Sequence, residues 1–332
     1  MTNLTVRWGI AGPGRIADNV AADFPYVDGA ELVAIGSRSK ERAAAFAARH
    51  GARRAHGSYA ALIADPDVDA IYIATPHPQH HAIAIAALRA GKAVLVEKAF
   101  TATLAGAREV FAVAREQGVF AMEAMWTRFQ PAMLRVRQWL ADRAIGEVRA
   151  VQADLGVAHE FDPHDRLFDP ALGGGALLDL GVYVVSFAQQ VLGTPDRVVC
   201  RGSIGRTGVE EEAALLLGFP GDAVAVLVTS LRSPLPGQAR VLGTRGWIDV
   251  LPRFHHPTQA VLHRDGAEPE LVTLPASGAG YSHELAEVSA AVVDGRLESR
   301  VMPFEDTLTV MQVLEDAASQ LGISWSEEDS VR

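Results

Sequence analysis

The chain has a single cysteine, Cys200. That excludes an intrachain disulfide framework and any multi-cysteine zinc or iron–sulfur site, and it suits a reducing compartment. On a predicted strand, Cys200 reads as a packing residue. Long apolar runs are also missing. Charge, glycine or proline breaks the hydrophobic stretches every few residues, as Arg89, Lys92 and Glu97 do, so no bilayer-spanning segment is expected. Met1 leads straight into a strand-like segment without the basic region, apolar run and small-residue cleavage site of an export signal, which makes the cytoplasm the expected location. Positive charge is in deficit. A formal net charge of -10 repels nucleic acid and anionic membranes, so neither is expected as a partner, and an anionic ligand needs a locally positive pocket.

What is there is ordinary globular material, 49% hydrophobic and 21% charged, without repeats or low-complexity linkers. At 332 residues, and with about 150 residues per domain, two domains are expected. The first third alternates strand-like runs (Val6 to Ala11, Glu31 to Gly36, Ala70 to Ala74, Ala93 to Val96, Val119 to Glu123) with amphipathic helices such as Lys40 to His50 and Pro78 to Ala90. That rhythm predicts a doubly wound parallel sheet with right-handed crossovers. After about Trp126 it changes: a helix near Phe129 to Asp142, a strand from Val148 and an apolar helix from Gly174 to Leu192 lead into five short strands between Arg197 and Val250. Short Gly or Pro turns join these strands, and an antiparallel meander is the expected arrangement. Helices near Tyr281 to Asp294 and Phe304 to Gln320 close the chain before a polar tail expected to fray. The expected division is a dinucleotide-binding domain over residues 1–124 and a substrate-binding α/β domain over residues 125–332.

The first strand runs into GIAGPGRIA, in which Gly12, Gly14 and Ala17 make GxGxxA. Such a turn lets the backbone approach a pyrophosphate, and the helix that follows offers its first N–H groups, here those around Arg15 and Ile16, and its positive dipole end. A NAD-selective site carries an acidic residue about 20 residues further on, to accept from the ribose 2′-hydroxyl. Here the second strand ends in SRS, and Ser37, Arg38 and the nearby Arg42 replace the carboxylate. Guanidinium groups suit bidentate phosphate recognition, so NADP(H) is preferred and NAD(H) remains usable. The alternative is a solvated charge pair at a helix start.

The segment ATPHPQHH ends one strand and opens a helix, placing Thr75, Pro76, His77 and His80 at the carboxyl edge of the parallel sheet, where such folds bind ligands. These histidines serve either a ligand or the local backbone. The next strand ends in VEKAF and brings Glu97 and Lys98 to the same edge. A half-buried lysine there can approach a reacting hydroxyl, with a pKa lowered by burial and by nearby positive charge; an exposed lysine is the alternative. In GGGALLDLGVY, Asp179 and Tyr183 are four apart and share one face of an otherwise apolar helix. The aspartate requires a partner, for which a lysine is suited, and the phenol is a proton donor or acceptor.

Taken together, GIAGPGRIA, VEKAF and GGGALLDLGVY resemble the Gfo/Idh/MocA oxidoreductases over essentially the whole chain, and EAMWTRFQP, ATPHPQHH, SRSKER and GYSHELAEV narrow the resemblance to the branch of dihydrodiol and NADP-dependent D-xylose dehydrogenases. The resemblance implies a Rossmann domain followed by an α/β domain with a large, mostly antiparallel open sheet, and a homodimer or higher homo-oligomer. It assigns Lys98, Asp179 and Tyr183 to catalysis and places Trp126 and Arg128 in the substrate pocket; a packing tryptophan and a linking arginine are the alternative. Ala99 stands where the family usually has proline, so the loop after Lys98 is expected to have a freer backbone. The implied reaction is hydride transfer between NADP(H) and a hydroxyl carbon of a sugar, inositol or cyclic trans-diol, with the proton moving toward Tyr183 or Lys98. Two other readings compete with it: a noncatalytic NADP-binding sensor, and a metal-dependent hydrolase built on Glu97, His77, His80, His159 or His164.

Overall fold

A computed structural model describes residues 5–328 and 331. By its contacts the chain forms two compact units. The first holds the residues up to Met125, then Ser277–Phe304 and the tail from Ser326; the second holds Trp126–Ala276 and Glu305–Trp325. They are not two consecutive stretches: the chain re-enters the first unit after the second has been built.

In the first unit β1 (Val6–Ala11), α1 (Arg15–Asp23), β2 (Ala30–Gly36), α2 (Lys40–His50), β3 (Arg54–His56), α3 (Tyr59–Ile63), β4 (Ala70–Ile73), α4 (His77–Arg89), β5 (Ala93–Glu97), α5 (Leu104–Gln117) and β6 (Ala121–Ala124) follow one another. The strands form a six-stranded parallel sheet in the order β3-β2-β1-β4-β5-β6. The order reverses between β1 and β4, the switch point at which doubly wound sheets bind ligands. Central strands buried on both faces need unbroken apolar runs, and β4 (AIYI) and β5 (AVLVE) are buried at every position. Helix α8 (Ser282–Val293) returns to this unit. The buried Asp23 carboxylate accepts from the N–H groups of Ala279, Tyr281 and Ser282 at 2.7 to 3.1 Å, which neutralises the orphan donors at the start of α8. Within α8 the Ser289 hydroxyl accepts the indole N–H of Trp8 on β1 at 3.1 Å.

The second unit contains α6 (Pro131–Ala141), β7 (Val148–Gly156), α7 (Val182–Leu192), β8 (Arg197–Ile204), β9 (Glu210–Phe219), β10 (Ala223–Ser230), β11 (Ala239–Gly243), β12 (Gly246–Val250), β13 (Gln259–Arg264), β14 (Glu270–Thr273) and the greater part of α9 (Phe304–Leu321). Its eight-stranded sheet runs β14-β13-β12-β11-β7-β10-β9-β8, antiparallel except for the β7–β10 pair. The expected simple meander is therefore corrected: β7 inserts between β10 and β11, which the loop from Leu231 to Gln238 must carry apart. Burial alternates along β10, so one face of the sheet is covered, α7 being packed on β7 and β10, and the other is left open.

The most apolar helical stretch, Pro170–Leu192, is long and apolar enough to cross a membrane by composition, yet 89% of its window is buried inside the protein, as in a core helix. Two further expectations are corrected. Strands β3, β13 and β14 lay outside the strands read from the sequence. The polar tail is tied down as far as Glu328: Glu327 accepts from the backbone N–H and hydroxyl of Thr103, and Glu328 donates to the carbonyl of Pro78. The end of that tail, residues 329, 330 and 332, lies outside the described residues.

Candidate active site

In the first unit the β1–α1 turn is shaped for a close approach. Gly12 has φ +93°, and a Cβ there would meet the carbonyl oxygen of Ala74 at 2.9 Å. A Cβ on Gly14, by contrast, would meet nothing within 4 Å, and among the described residues α1, which starts at Arg15 after Gly14, has no side-chain cap bond. A bare helix start above a glycine turn suits a pyrophosphate. At the neighbouring strand end, the buried Thr75 hydroxyl has no hydrogen-bond partner among the described residues. An orphan of this kind at the ligand-binding edge fits a dinucleotide cofactor.

The end of β2 supplies the positive corner. The hydroxyl of Ser37 accepts from the N–H of Ser39, whose own hydroxyl caps α2 by accepting from the N–H of Arg42. Arg38 and Arg42 are exposed. Burial raises the Tyr59 pKa against the pull of the nearby Arg38 and Arg42. Tyr59 escaped the sequence reading because a tyrosine behind the helix-capping Ser58 looks like a core residue.

At the end of β5, the Glu97 carboxylate accepts from the Tyr72 hydroxyl and, at 3.2 Å, from the N–H of Lys98. Burial raises the Tyr72 pKa well above its ordinary value. Lys98 is half-buried, and the Lys98–Ala99 peptide is cis. The loop after Lys98 is not the freer one expected: Ala99 is fully buried, and the N–H of Phe100 donates to Glu123 at 3.1 Å. His77 opens α4 with Nε2 3.3 Å from the carbonyl oxygen of Lys98. His80 braces the loop from within. It is fully buried with Nε2 2.7 Å from the carbonyl oxygen of Thr75 and Nδ1 3.1 Å from that of Ala99, and burial pushes its pKa down to about 4. We assign the single proton of the neutral ring to Nε2, the shorter contact.

In the second unit Trp126 and Tyr183 come together. Trp126 lies on a short 3₁₀ turn, Trp126–Phe129, and its indole N–H donates to the Tyr183 hydroxyl at 3.1 Å. The imidazole of His255 lies 5.3 Å from the Tyr183 ring, and that of His256 lies 5.4 Å from Trp126. Burial lowers the His256 pKa, and the nearby Arg253 lowers it further. Neither histidine was found from sequence, because the HHP segment between β12 and β13 carries no periodic signal. Asp179 lies within a π turn, Leu177–Gly181, that leads into α7. Such wide turns recur at functional sites. Its carboxylate accepts from Arg166 at 3.0 Å, a partner the sequence did not indicate.

Arg128 acts as a structural tie. It is 1% exposed, and its guanidinium donates to the Ser186 hydroxyl, to Gln189 and to Asp306, holding the 3₁₀ turn against α7 and α9. Among the described residues no group of three or more His, Cys, Asp or Glu side chains is placed to hold a metal ion.

Two family models match in order along the chain: an oxidoreductase family with a NAD-binding Rossmann fold over residues 6–125, and a GFO/IDH/MocA C-terminal domain over residues 133–249. The chain belongs to the Gfo/Idh/MocA oxidoreductase family. It is an enzyme with a NAD(P)-binding fold, and nothing found supports a noncatalytic sensor. Among its relatives, the trans-1,2-dihydrobenzene-1,2-diol dehydrogenase of Xenopus tropicalis is 35% identical over 332 residues, covering 97% of this chain and all of that one. The Homo sapiens enzyme of the same name is 35% identical over 334 residues, with 98% and 99% covered. Among solved structures, KijD10, a 3-ketoreductase from Actinomadura kijaniata in complex with NADP and TDP-benzene, is similar at a TM-score of 0.85 and 28% identity, with 98% and 99% covered. An aldose-aldose oxidoreductase from Caulobacter crescentus, complexed with glycerol, gives 0.86 and 26%, with 95% and 97% covered.

Proposed function

We propose that this oxidoreductase exchanges a hydride between NADP(H) and a hydroxyl-bearing carbon of a small cyclic trans-diol, with sugars and inositols as the neighbouring substrate classes. The observation that carries the reading is the Trp126–Tyr183 hydrogen bond, set in an aromatic wall with His255 and His256. A flat ring bearing hydroxyls suits such a wall, whose aromatic faces take the apolar ring while the phenol meets a hydroxyl. The full-length likeness to enzymes named for a cyclic trans-diol favours that class over open sugars.

The turn at Gly12 and Gly14, the N–H groups of Arg15 and Ile16, and Thr75, Pro76 and His77 would hold the cofactor, with Glu97 fixing the backbone at Lys98. Ser37, Arg38 and Arg42 would take the 2′-phosphate, which favours NADP(H) while leaving NAD(H) usable. NADP, when bound, supplies the acceptor for the hydride that leaves the substrate carbon. The chain's own residues manage the proton. As the C–H bond breaks and the carbon becomes a carbonyl, the hydroxyl proton passes to Tyr183 or Lys98, and the lysine stabilises the developing alkoxide. Asp179 positions this machinery while bonded to Arg166.

The working form is proposed to be a homodimer in the cytoplasm, joined through the open face of the eight-stranded sheet. Leu216 and Val226 are cross-strand partners there and are 49% and 46% exposed, beside the exposed Val224 and Val228. An apolar patch of that kind marks an interaction surface, and the single buried cysteine suits a reducing compartment. The test of the chemistry is Lys98→Met. NADP affinity should stay within about twofold while turnover falls by roughly a thousandfold, within the range of general acid–base catalysis. Full turnover would remove Lys98 from the reaction.

A further inference from the structure

The second unit contains a buried carboxyl that the proposed mechanism does not use. Glu210, the first residue of β9, is 0% exposed. Its Oε1 accepts from the N–H of Leu177, the first residue of the π turn, at 2.7 Å. Its Oε2 is buried without a hydrogen-bond partner in the described protein. The contact is close on the other side as well: Gly175 has φ +118°, and a Cβ there would lie 2.3 and 2.4 Å from the two carboxylate oxygens. Two residues of the glycine-rich turn, Gly175 and Leu177, are thus moulded around one side chain from a strand 33 residues further along.

A helix start leaves several N–H groups unpaired, and a neighbouring side chain ordinarily takes one of them. Here the residue at the capping position is Ala176, which makes no side-chain cap bond. Glu210 performs that task from β9. Asp179 and Tyr183 lie two and six positions beyond Leu177 on the same wide turn and helix, so the Glu210 bond fixes where both side chains begin. Glycines give the turn backbone freedom in the absence of that anchor.

We propose that Glu210 is a positioning residue for the reaction, anchoring the Gly173–Leu177 turn to β9 so that Asp179 and Tyr183 are held in register. The proposal rests on the reading that those two residues serve the reacting centre. Burial, which pushes the Glu210 carboxyl up to about 7, agrees with a side chain retained at a cost for such a purpose.

The experiment compares Glu210→Ala, Glu210→Gln and Glu210→Asp in the full chain. Turnover is read with NADP and the best substrate of a panel of cyclic trans-diols, aldoses and inositols, and NADP affinity by protein fluorescence. A displacement of about 1 Å costs roughly a hundredfold in rate, so Glu210→Ala should lose kcat on that scale while NADP affinity stays within about twofold. Glu210→Gln, whose amide oxygen still accepts from Leu177, should keep kcat within about fivefold. Undiminished kcat in Glu210→Ala, or Glu210→Gln as slow as Glu210→Ala, overturns the proposal. If the alanine variant does not fold, Glu210→Asp decides. One methylene shorter, it leaves the Leu177 N–H unmet, and it should lose at least about tenfold in kcat, whereas full kcat overturns the proposal. Tyr183→Phe is the separate control: full turnover there would break the reading of the site itself, whatever Glu210 does.

Discussion

The indole N–H of Trp126 donates to the hydroxyl oxygen of Tyr183 at 3.1 Å, so one lone pair of the phenol is already committed and its proton points elsewhere. In the proposed mechanism that side of the phenol meets the substrate, giving up its proton in reduction and, as the phenolate, receiving it in oxidation. Trp126→Phe keeps an aromatic wall and removes the donor. A neutral hydrogen bond contributes about 1 kcal/mol, so kcat should fall between about fivefold and tenfold with thermal stability little changed. Steady-state kinetics with both variants of the pair, Trp126→Phe and Tyr183→Phe, checks this; unequal losses that simply multiply in the double variant would show that the two side chains act separately.

In the proposed reading, cofactor choice depends on the corner formed by Ser37, Arg38, Arg42 and Tyr59. Charge-assisted hydrogen bonds contribute about 1.5 to 3 kcal/mol, so Arg38→Ala should weaken NADP binding by about tenfold to a hundredfold and NAD binding by less than about threefold. Titration of the two dinucleotides by fluorescence measures both. Equal losses would mean that Arg38 does not meet a 2′-phosphate.

The raised Glu210 carboxyl has a consequence for stability. Its folded pKa lies at about 7 against an ordinary 4.5, so the folded chain binds more protons than the unfolded chain between those values. Stability from this group therefore falls as pH rises from about 4.5 to about 7 and is level above that, a change of about 3 kcal/mol. Glu210→Gln should lose this slope. Denaturant unfolding of both proteins at pH 5 and pH 8 gives the difference, and parallel curves for the two would contradict a titrating Glu210.

On the open sheet face, Val226 on β10 pairs with Leu216 on β9 and with Gln152 on β7 in the centre of the sheet. Burying an unpaired charge there costs several kcal/mol, so Val226→Asp should convert a dimer to monomers while the fold survives, because the side chain is solvated in the single chain. Light scattering on the two proteins distinguishes the cases, and a dimer that persists would move the interface to another surface.

Parts of this architecture were legible because local patterns and tertiary demands agree. β4 and β5 read as unbroken apolar runs since both faces of a central parallel strand are covered, and the glycine turn after β1 announces itself by spacing. β3 gave no such signal: Arg54–His56 is a three-residue edge strand whose polar side chains serve ion pairs with Asp65 and Asp67. The insertion of β7 between β10 and β11 was equally hidden, because pairing over long sequence separation leaves no periodic trace.

The site was legible to the same degree and failed for the same reason. Gly12, Gly14, Lys98, Asp179 and Tyr183 belong to short motifs with fixed offsets. The partners of Arg128 and His80 were not legible because sequence does not tell which way a side chain is turned; Arg128 meets Ser186 and Gln189, and His80 meets two carbonyls. Tyr59, His255, His256 and Glu210 have neighbours that only the folded chain supplies.

The most direct test of the central claim is the absorbance of reduced nicotinamide when the purified protein is given NADP or NAD with a panel of cyclic trans-diols, aldoses and inositols. Turnover of a cyclic trans-diol with NADP preferred is the expected result. Tight NADP binding without turnover of any of these substrates, in either direction, would contradict it.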